Sequence, residues 1–381
     1  MEEEREGAVA AGVGEWSTVP SRRPARLRLA DVAALAETSV ATASLALNGK
    51  AVGEQTRTRV LEAARRLRYV PEASARALKT GRTAVIGMII VNRPQTVELT
   101  GSSSFFYAVL RGALVAGELE GFHISWHVIT ADLTVEERQL SDLAASGRYD
   151  AMVIFPQWVN DARYAVTIAR LGVPAITVND PHAVAPTLPM AAVVLDNDQA
   201  MALSLEHLLD AGHRRIAYLA GPAEHLEADR RLDAYRSLMA GHGVVVPDSY
   251  VHRVEYTIED GATGFDVLWD QIRVAGDAAP TAMLAASDYV AAGLMQAAQR
   301  RGVVIPDDLS VVGFDDLDVA RATTPRLTTI AQPLTRLGEI VTLAAIGLLR
   351  GDLVGTTVLP TRLVERESVT TFTGPRPATK P

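Results

Sequence analysis

Residues 29–49 read LADVAALAETSVATASLALNG. Leu29, Val32, Ala33 and Leu35 or Ala36 recur three and four residues apart, which puts them on one face of a short helix. Glu37-Thr38 breaks the pattern. Ser39 then stands where a hydroxyl accepts from the first free N–H groups of a new helix, VATASLALN, and Asn48-Gly49 closes that helix with a turn. A third helix is expected from Glu54 to Arg68, with Val60, Leu61, Ala64 and Leu67 inward. Helix, short turn, helix, loop and third helix is the layout of a helix-turn-helix unit.

Charge is concentrated around that unit. Between Arg22 and Arg82 stand 13 Lys/Arg and 5 Asp/Glu, a net of +8. The whole chain of 381 residues carries −8, so the remainder carries −16. A basic front on an acidic body is the pattern of a nucleic-acid-binding module joined to a regulatory or catalytic one, although a solvated charged face gives the same count. There is no cysteine, which excludes disulfides, thiolate metal sites and a Cys nucleophile. No apolar run approaches a membrane span, and Met1–Pro20 lacks the basic start and apolar stretch of a secretory signal, so a cytoplasmic location is expected.

Residues 1–25 read as a disordered extension, 26–70 as the DNA-binding unit and 71–83 as a linker whose PEASARALKTG holds helix formers but is too short to be a stable helix alone. From Ala84 the pattern changes to apolar runs separated by helical periods. The runs are AVIGMIIV, FHISWHVI, AMVIF, VPAITV, MAAVVLD, RIAYLA, TAMLAA, LSVVGF and LTTIA. Unbroken apolar strands are those of parallel sheets covered on both faces. Repeated strand-helix units over about 270 residues imply two doubly wound α/β lobes, with a ligand crevice at the carboxyl ends of the strands. Residues 371–381 read as a disordered tail.

The chain resembles the lactose/galactose-repressor family of bacterial transcription regulators from Arg26 to Val369. The likeness rests on LADVAALAETSVATASLALNG, V-x-x-x-T-R-x-R-V at 52–60, L-R-Y-V-P at 67–71 and A-R-A-L at 75–78. In the body it rests on D-N-x-x-A at 196–200, HLLDAGHRRIA at 207–217, ASD at 286–288, IPDDLSVVGFDD at 305–316 and LTTIAQP at 327–333. The resemblance implies a helix-turn-helix headpiece, a hinge helix within 71–83 and a two-lobed core like that of periplasmic sugar-binding proteins, its lobes formed by 84–194 with 332–357 and by 195–331 with 358–370. It also implies a homodimer on a pseudo-palindromic double-stranded operator.

In the headpiece, Ser39, Thr42, Ser44 and Asn48 take the positions that grip phosphates, while Ser39 and Asn48 also suit cap and turn. The resemblance assigns base reading to Val40, Ala41 and Leu45, all apolar here, with Leu45 where an Arg is usual. The usual Gly-Val of the turn is replaced by Glu37-Thr38. Such a set can touch thymine methyls but makes no side-chain hydrogen bond to a base, so the operator is expected to be unusual or loosely defined. In the hinge, Leu78 with Ala75 would wedge into the minor groove and Arg76 would lie near phosphates.

For the core, the resemblance implies a small effector between the lobes. Arg231 would donate a fork of hydrogen bonds. Asp288 and Asp315 would accept from hydroxyls, and Asn179 would do both. Phe105, Phe106 and Trp158 would stack on an apolar face. Asp288 as a helix cap, Asp315 as a turn residue and the phenylalanines as core remain open alternatives. The set suits a mono- or oligosaccharide; a purine competes. No phosphate-binding glycine loop, nucleophile elbow or zinc-helix motif is present, and Asp315, Asp316 and Asp318 lack the rest of a calcium loop. No enzyme activity, cofactor or metal is therefore expected. The leading reading is a ligand-responsive DNA-binding regulator, most simply a repressor. The alternative is a cytoplasmic sugar-binding protein whose headpiece has lost specific readout.

Overall fold

Alanine sets the scale of the first three helices. α1 (Leu29–Leu35), α2 (Val40–Leu47) and α3 (Glu54–Leu67) close on Val32, Ala33, Ala36, Ala43, Ala46, Val60, Ala63 and Ala64. Side chains this small let the axes approach, and α1 meets α2 at 100°, within the range of a helix-turn-helix. Leu35 and Leu61, expected on or beside the inner faces, are 40% and 39% exposed. Each lies about one 100° step off the buried stripe of its helix. The computed structural model describes residues 27–47, 50–69, 82–92, 103–130, 133–156, 162–185, 187–352 and 355–373. These divide into two units, one ending at Gly81 and one beginning at Arg82.

The second unit holds two six-stranded sheets. The first runs β11–β5–β4–β3–β1–β2, with β1 (Val85–Asn92), β2 (His123–Thr130), β3 (Ala151–Phe155), β4 (Ala175–Val178), β5 (Met190–Leu195) and β11 (Thr356–Leu359). Its pairs are all parallel. The second runs β12–β10–β9–β8–β6–β7, with β6 (Ile216–Ala220), β7 (Val251–Arg253), β8 (Ala282–Ala285), β9 (Ser310–Asp315), β10 (Thr328–Ala331) and β12 (Arg362–Val364). It is parallel except for β12, which runs against β10. Both sheets reverse direction of winding beside their first strand, β1 or β6, so each has a crevice at the carboxyl ends there.

The helices covering the first sheet are α4 (Ser103–Glu120), α5 (Leu133–Ala145), α6 (Ala162–Arg170) and α12 (Leu334–Arg350). The second sheet carries α7 (Asn197–Asp210), α8 (Leu226–Gly241), α9 (Ile258–Ala275), α10 (Asp288–Arg300) and the short α11 (Asp318–Ala322). One helix pair in each lobe packs backbone to backbone. A Cβ at Gly338 of α12 would stand 1.8 Å from the Val109 carbonyl oxygen of α4. At Gly293 of α10 it would stand 1.9 Å from the Ile258 carbonyl oxygen of α9.

The chain passes between lobes three times: from β5 to α7, from β10 to α12 and from β11 to β12. The first and third passages are bonded together. The Asp196 N–H donates to the Leu359 carbonyl at 3.2 Å, and the Thr361 N–H donates to Gln199 Oε1 at 3.0 Å.

Candidate functional site

Two places combine exposed or cavity-facing chemistry with a built frame. The first is the outer face of α2. Ser39 caps this helix, its Oγ accepting from the Thr42 N–H at 3.0 Å and lying 2.8 Å from Thr42 Oγ1. Glu37, in the turn before it, holds φ +49°, a left-handed conformation that an L side chain rarely adopts. Val40 is 49% and Leu45 37% exposed, and Ala41 is exposed beside them. Ser44 is half-buried on the flank. Asn48, Ala75, Arg76 and Leu78 lie outside the described residues.

The second place is a cavity of about 100 Å³, open to solvent on one side, at the carboxyl ends of both sheets. Phe105 and Phe106, Phe155 with Pro156, and Val178 with Asn179 line it from the first lobe. His225, Glu227, Arg231, Tyr256, Ala286, Ser287 and Asp315 line it from the second, and Asn197 and Gln332 from the passages between lobes. Phe105 and Phe106 sit on the first turns of α4 rather than on a strand-end loop. Phe106 is mostly core, edge-on to Trp126 at 5.7 Å and to Phe155 at 5.9 Å, and half-buried Phe105 is edge-on to it at 5.2 Å. Trp158 lies outside the described residues.

Arg231 is fixed from three sides. Nε donates to the Glu227 carbonyl at 3.2 Å, Nη1 donates to the Ala286 carbonyl at 3.0 Å, and the guanidinium lies 4.3 Å over the Phe314 ring. It is the sole cation among the described lining residues. Two carboxyl groups share the cavity with it, each held by an amide: Asn197 Nδ2 donates to Glu227, and Gln332 Nε2 donates to Asp315. Burial pushes Glu227 up to about 7 against the opposing Arg231 and Arg230 charges and the Asn197 hydrogen bond, with Asp180 adding to the rise. Burial likewise pushes Asp315 up to about 7, against Arg231 and Gln332.

His225 caps α8, its Nδ1 accepting from the Ala228 N–H at 3.4 Å. Burial and the Arg231 charge hold its pKa down to about 3, so the ring is neutral. The Tyr256 hydroxyl finds no hydrogen-bond partner among the described protein atoms, and it approaches Gly221 so closely that a Cβ there would lie 2.4 Å from it.

Asn179 and Asp315 are both in positive φ, at +60° and +110°. Such backbone strain of about 1–3 kcal/mol is concentrated at sites where geometry is put to use. Asn179 Oδ1 accepts from the Leu195 N–H at 2.7 Å, and its carbonyl accepts from Arg230 Nη1 across the cleft.

Asp288 requires a correction. It does not line the cavity. It is fully buried beneath it, accepting from the Leu317 N–H at 2.7 Å and from Thr329 Oγ1 at 2.5 Å. The cap of α10 is Ser287, whose Oγ accepts from the Val290 N–H at 3.2 Å. Asp288 ties β9's exit to β10; burial first, and the neighbouring Asp315 charge next, raise its pKa. Glu227, His225, Tyr256, Asn197 and Gln332 escaped the sequence reading. Only Asn197 and Gln332 carried a signal there, inside D-N-x-x-A and LTTIAQP.

Asp316 and Asp318 are paired within the protein, Asp316 with Arg366 and Arg321 and Asp318 with Arg321. Among the described residues no group of three or more His, Asp or Glu is placed to hold a metal ion. None of their helices alone is long and apolar enough to cross a membrane.

Comparison with known proteins bears on both places. Residues 28–72 match the lacI family of bacterial regulatory proteins, and residues 205–369 match the periplasmic binding protein-like domain. The HTH-type transcriptional repressor CytR of Escherichia coli K12 is 31% identical over 330 residues, covering 85% of this chain and 90% of that protein. Catabolite control protein A of Priestia megaterium is 28% identical over 343 residues, covering 89% of this chain and 98% of that protein. The lac repressor dimer bound to operator and the anti-inducer ONPF aligns with a TM-score of 0.77 at 25% identity, covering 91% of this chain and 99% of that one. A complex of the transcriptional regulator CelR with cellobiose aligns with a TM-score of 0.66 at 26% identity, covering 90% and 100%.

Proposed function

The chain belongs to the lacI family of bacterial regulatory proteins, and from that premise we propose a cytoplasmic repressor whose grip on DNA is set by a small polyhydroxylated effector. One observation carries the reading: the same chain holds a helix-turn-helix with an exposed second helix and, in a separate unit, a cleft built around buried Arg231. DNA occupies the first and the effector the second. An effector shifts DNA affinity by its difference in affinity between two arrangements of the lobes, and by no more.

The effector class follows from the lining. Phe105, Phe106 and Phe155 offer an apolar wall, and Arg231, Asn179, Glu227, Asp315 and the Tyr256 hydroxyl offer a polar one. A sugar ring has both faces. A phosphorylated sugar is disfavoured, because Arg231 is matched by two carboxyl groups and His225 is neutral. The CelR–cellobiose complex is a fold relative whose bound sugar supports this class. Nothing in the lining resembles a nucleophile held by a base, which supports binding rather than catalysis.

A two-fold homodimer is part of the proposal. α4 exposes Tyr107, Val115 and Leu119 at 68%, 57% and 81%, next to β2, which ends its sheet among the described residues. Apolar side chains at that density along one helix beside an edge strand favour a second copy.

Genome-wide mapping of bound sites, followed by release of a bound fragment with candidate sugars, tests the proposal. Specific sites released by one sugar are expected. Uniform, salt-sensitive binding with no preferred sequence would favour the sugar-binding alternative instead.

A further inference from the structure

Sequence readout through hydrogen bonds needs side chains that match base edges in pairs: Arg or Lys for guanine, Asn or Gln for adenine, Asp or Glu for cytosine. Over residues 40–47, VATASLAL, α2 has none of these. The hydroxyls at its start are engaged with the helix itself, Ser39 with the Thr42 N–H at 3.0 Å and with Thr42 Oγ1 at 2.8 Å. The most exposed side chains that the helix presents are apolar. At about 100° per residue, Val40, Ala41 and Leu45 fall at about 0°, 100° and 140° around the axis, while Ala43 and Ala46 fall at about 300° and 240°. The first three are exposed and the last two buried. The helix therefore packs with one side and offers Val40, Ala41 and Leu45 with the other, where half-buried Ser44, at about 40°, is the one hydroxyl between them.

A helix-turn-helix lays its second helix in the major groove with its first residues against base edges. The one apolar feature of those edges is the C5-methyl group of thymine, shared by 5-methylcytosine and missing from uracil and cytosine. We propose that α2 reads its site through C5-methyl groups, with Val40, Ala41 and Leu45 as the reading side chains and 5-methylpyrimidines as the chemical class they recognise. This rests on the DNA-binding reading above and sharpens it. Thymine and 5-methylcytosine are equivalent to these side chains, so methylation of a cytosine can create a contact where none existed.

The test uses the full-length protein and a random duplex library. The best selected site is resynthesised with one thymine at a time replaced by uracil, and separately with 5-methylcytosine·guanine pairs. Affinity is read by fluorescence anisotropy at one fixed salt concentration. Burying one methyl is worth about 0.8 kcal/mol, so each contacted thymine is expected to lose about fourfold in affinity on becoming uracil. At least two such positions per half-site are expected, with 5-methylcytosine binding more tightly than cytosine at the same places. Val40→Ala and Leu45→Ala, both at exposed positions, are each expected to abolish the uracil penalty at one position and leave the others.

A selected site indifferent to every uracil replacement overturns the inference while leaving specific DNA binding standing. So does a required guanine whose preference survives in Leu45→Ala. A selection that enriches no sequence overturns both this inference and the regulator reading.

Discussion

Replacing Glu37 with glycine is expected to stabilise the helix-turn-helix by a magnitude that its backbone sets. Glu37 sits in the turn between α1 and α2 with φ +49°, and its side chain is exposed. An L residue in this left-handed region bears about 1–2 kcal/mol that glycine does not. Glycine gives back about 0.4–1 kcal/mol by loosening the unfolded chain. The balance is a gain of about 0.5–1 kcal/mol for Glu37→Gly, or about a two- to fivefold drop in the opening constant of the unit. Hydrogen exchange read by mass spectrometry on the intact protein measures this at peptides covering 40–47 and 54–67, where slower exchange by that factor is expected. Glu37→Ala supplies the control, because it removes the same charge and keeps the Cβ. It should leave protection unchanged or slightly lower. Equal protection in the alanine and glycine variants would show that charge, not backbone conformation, governs the turn, and the reasoning would be refuted.

Arg231→Ala is expected to remove the response to effector while operator binding persists; an unaltered response would place the effector elsewhere. Asp315 and Glu227, both raised to about 7, favour the folded chain while protonated. That contribution is complete below the ordinary carboxylate range and is lost as pH rises through about 7. Asp315→Asn should therefore gain in urea midpoint relative to the parent between pH 5 and pH 8, and a relative loss would contradict the assignment. Gly338→Ala drives a Cβ to 1.8 Å from a backbone oxygen that cannot rotate away, and should lower unfolding stability by about 3 kcal/mol, checked by denaturant titration. Leu119→Asp, on the exposed face of α4, is expected to convert a dimer to a monomer in sedimentation; an unchanged mass would put the subunit contact on another face.

Burial decided which elements were legible in the sequence. AMVIF stands out because β3 is wholly buried, with Asp150 before it and Pro156 after it, and its observed limits, Ala151 and Phe155, are those of the run. β7, β11 and β12 were missed as strands because they are three or four residues long and partly exposed. VHR, TTVL and RLV carry no apolar run, and a neighbouring strand edge recruits them. The cavity followed the same logic. Arg231 and Asp315 lie in motifs with a recognisable frame, whereas Tyr256 follows the missed β7, and no pattern marked His225 or Glu227 at the start of α8. Asp288 was visible but misassigned. Its motif places it at a strand end, yet only the fold reveals that Gly313 lets its carboxylate sink: a Cβ there would lie 2.5 Å from Asp288 Oδ1.

The passages between lobes do more than connect. Asn197 follows the first and clasps Glu227, and Gln332 lies on the second and clasps Asp315. A guest that donates to either carboxylate would compete with the amide that holds it, an amide standing on or beside a segment that joins the lobes. The proposed effector would thus act on the joining segments themselves, between two lobes whose helix pairs are each locked by a glycine, Gly338 and Gly293.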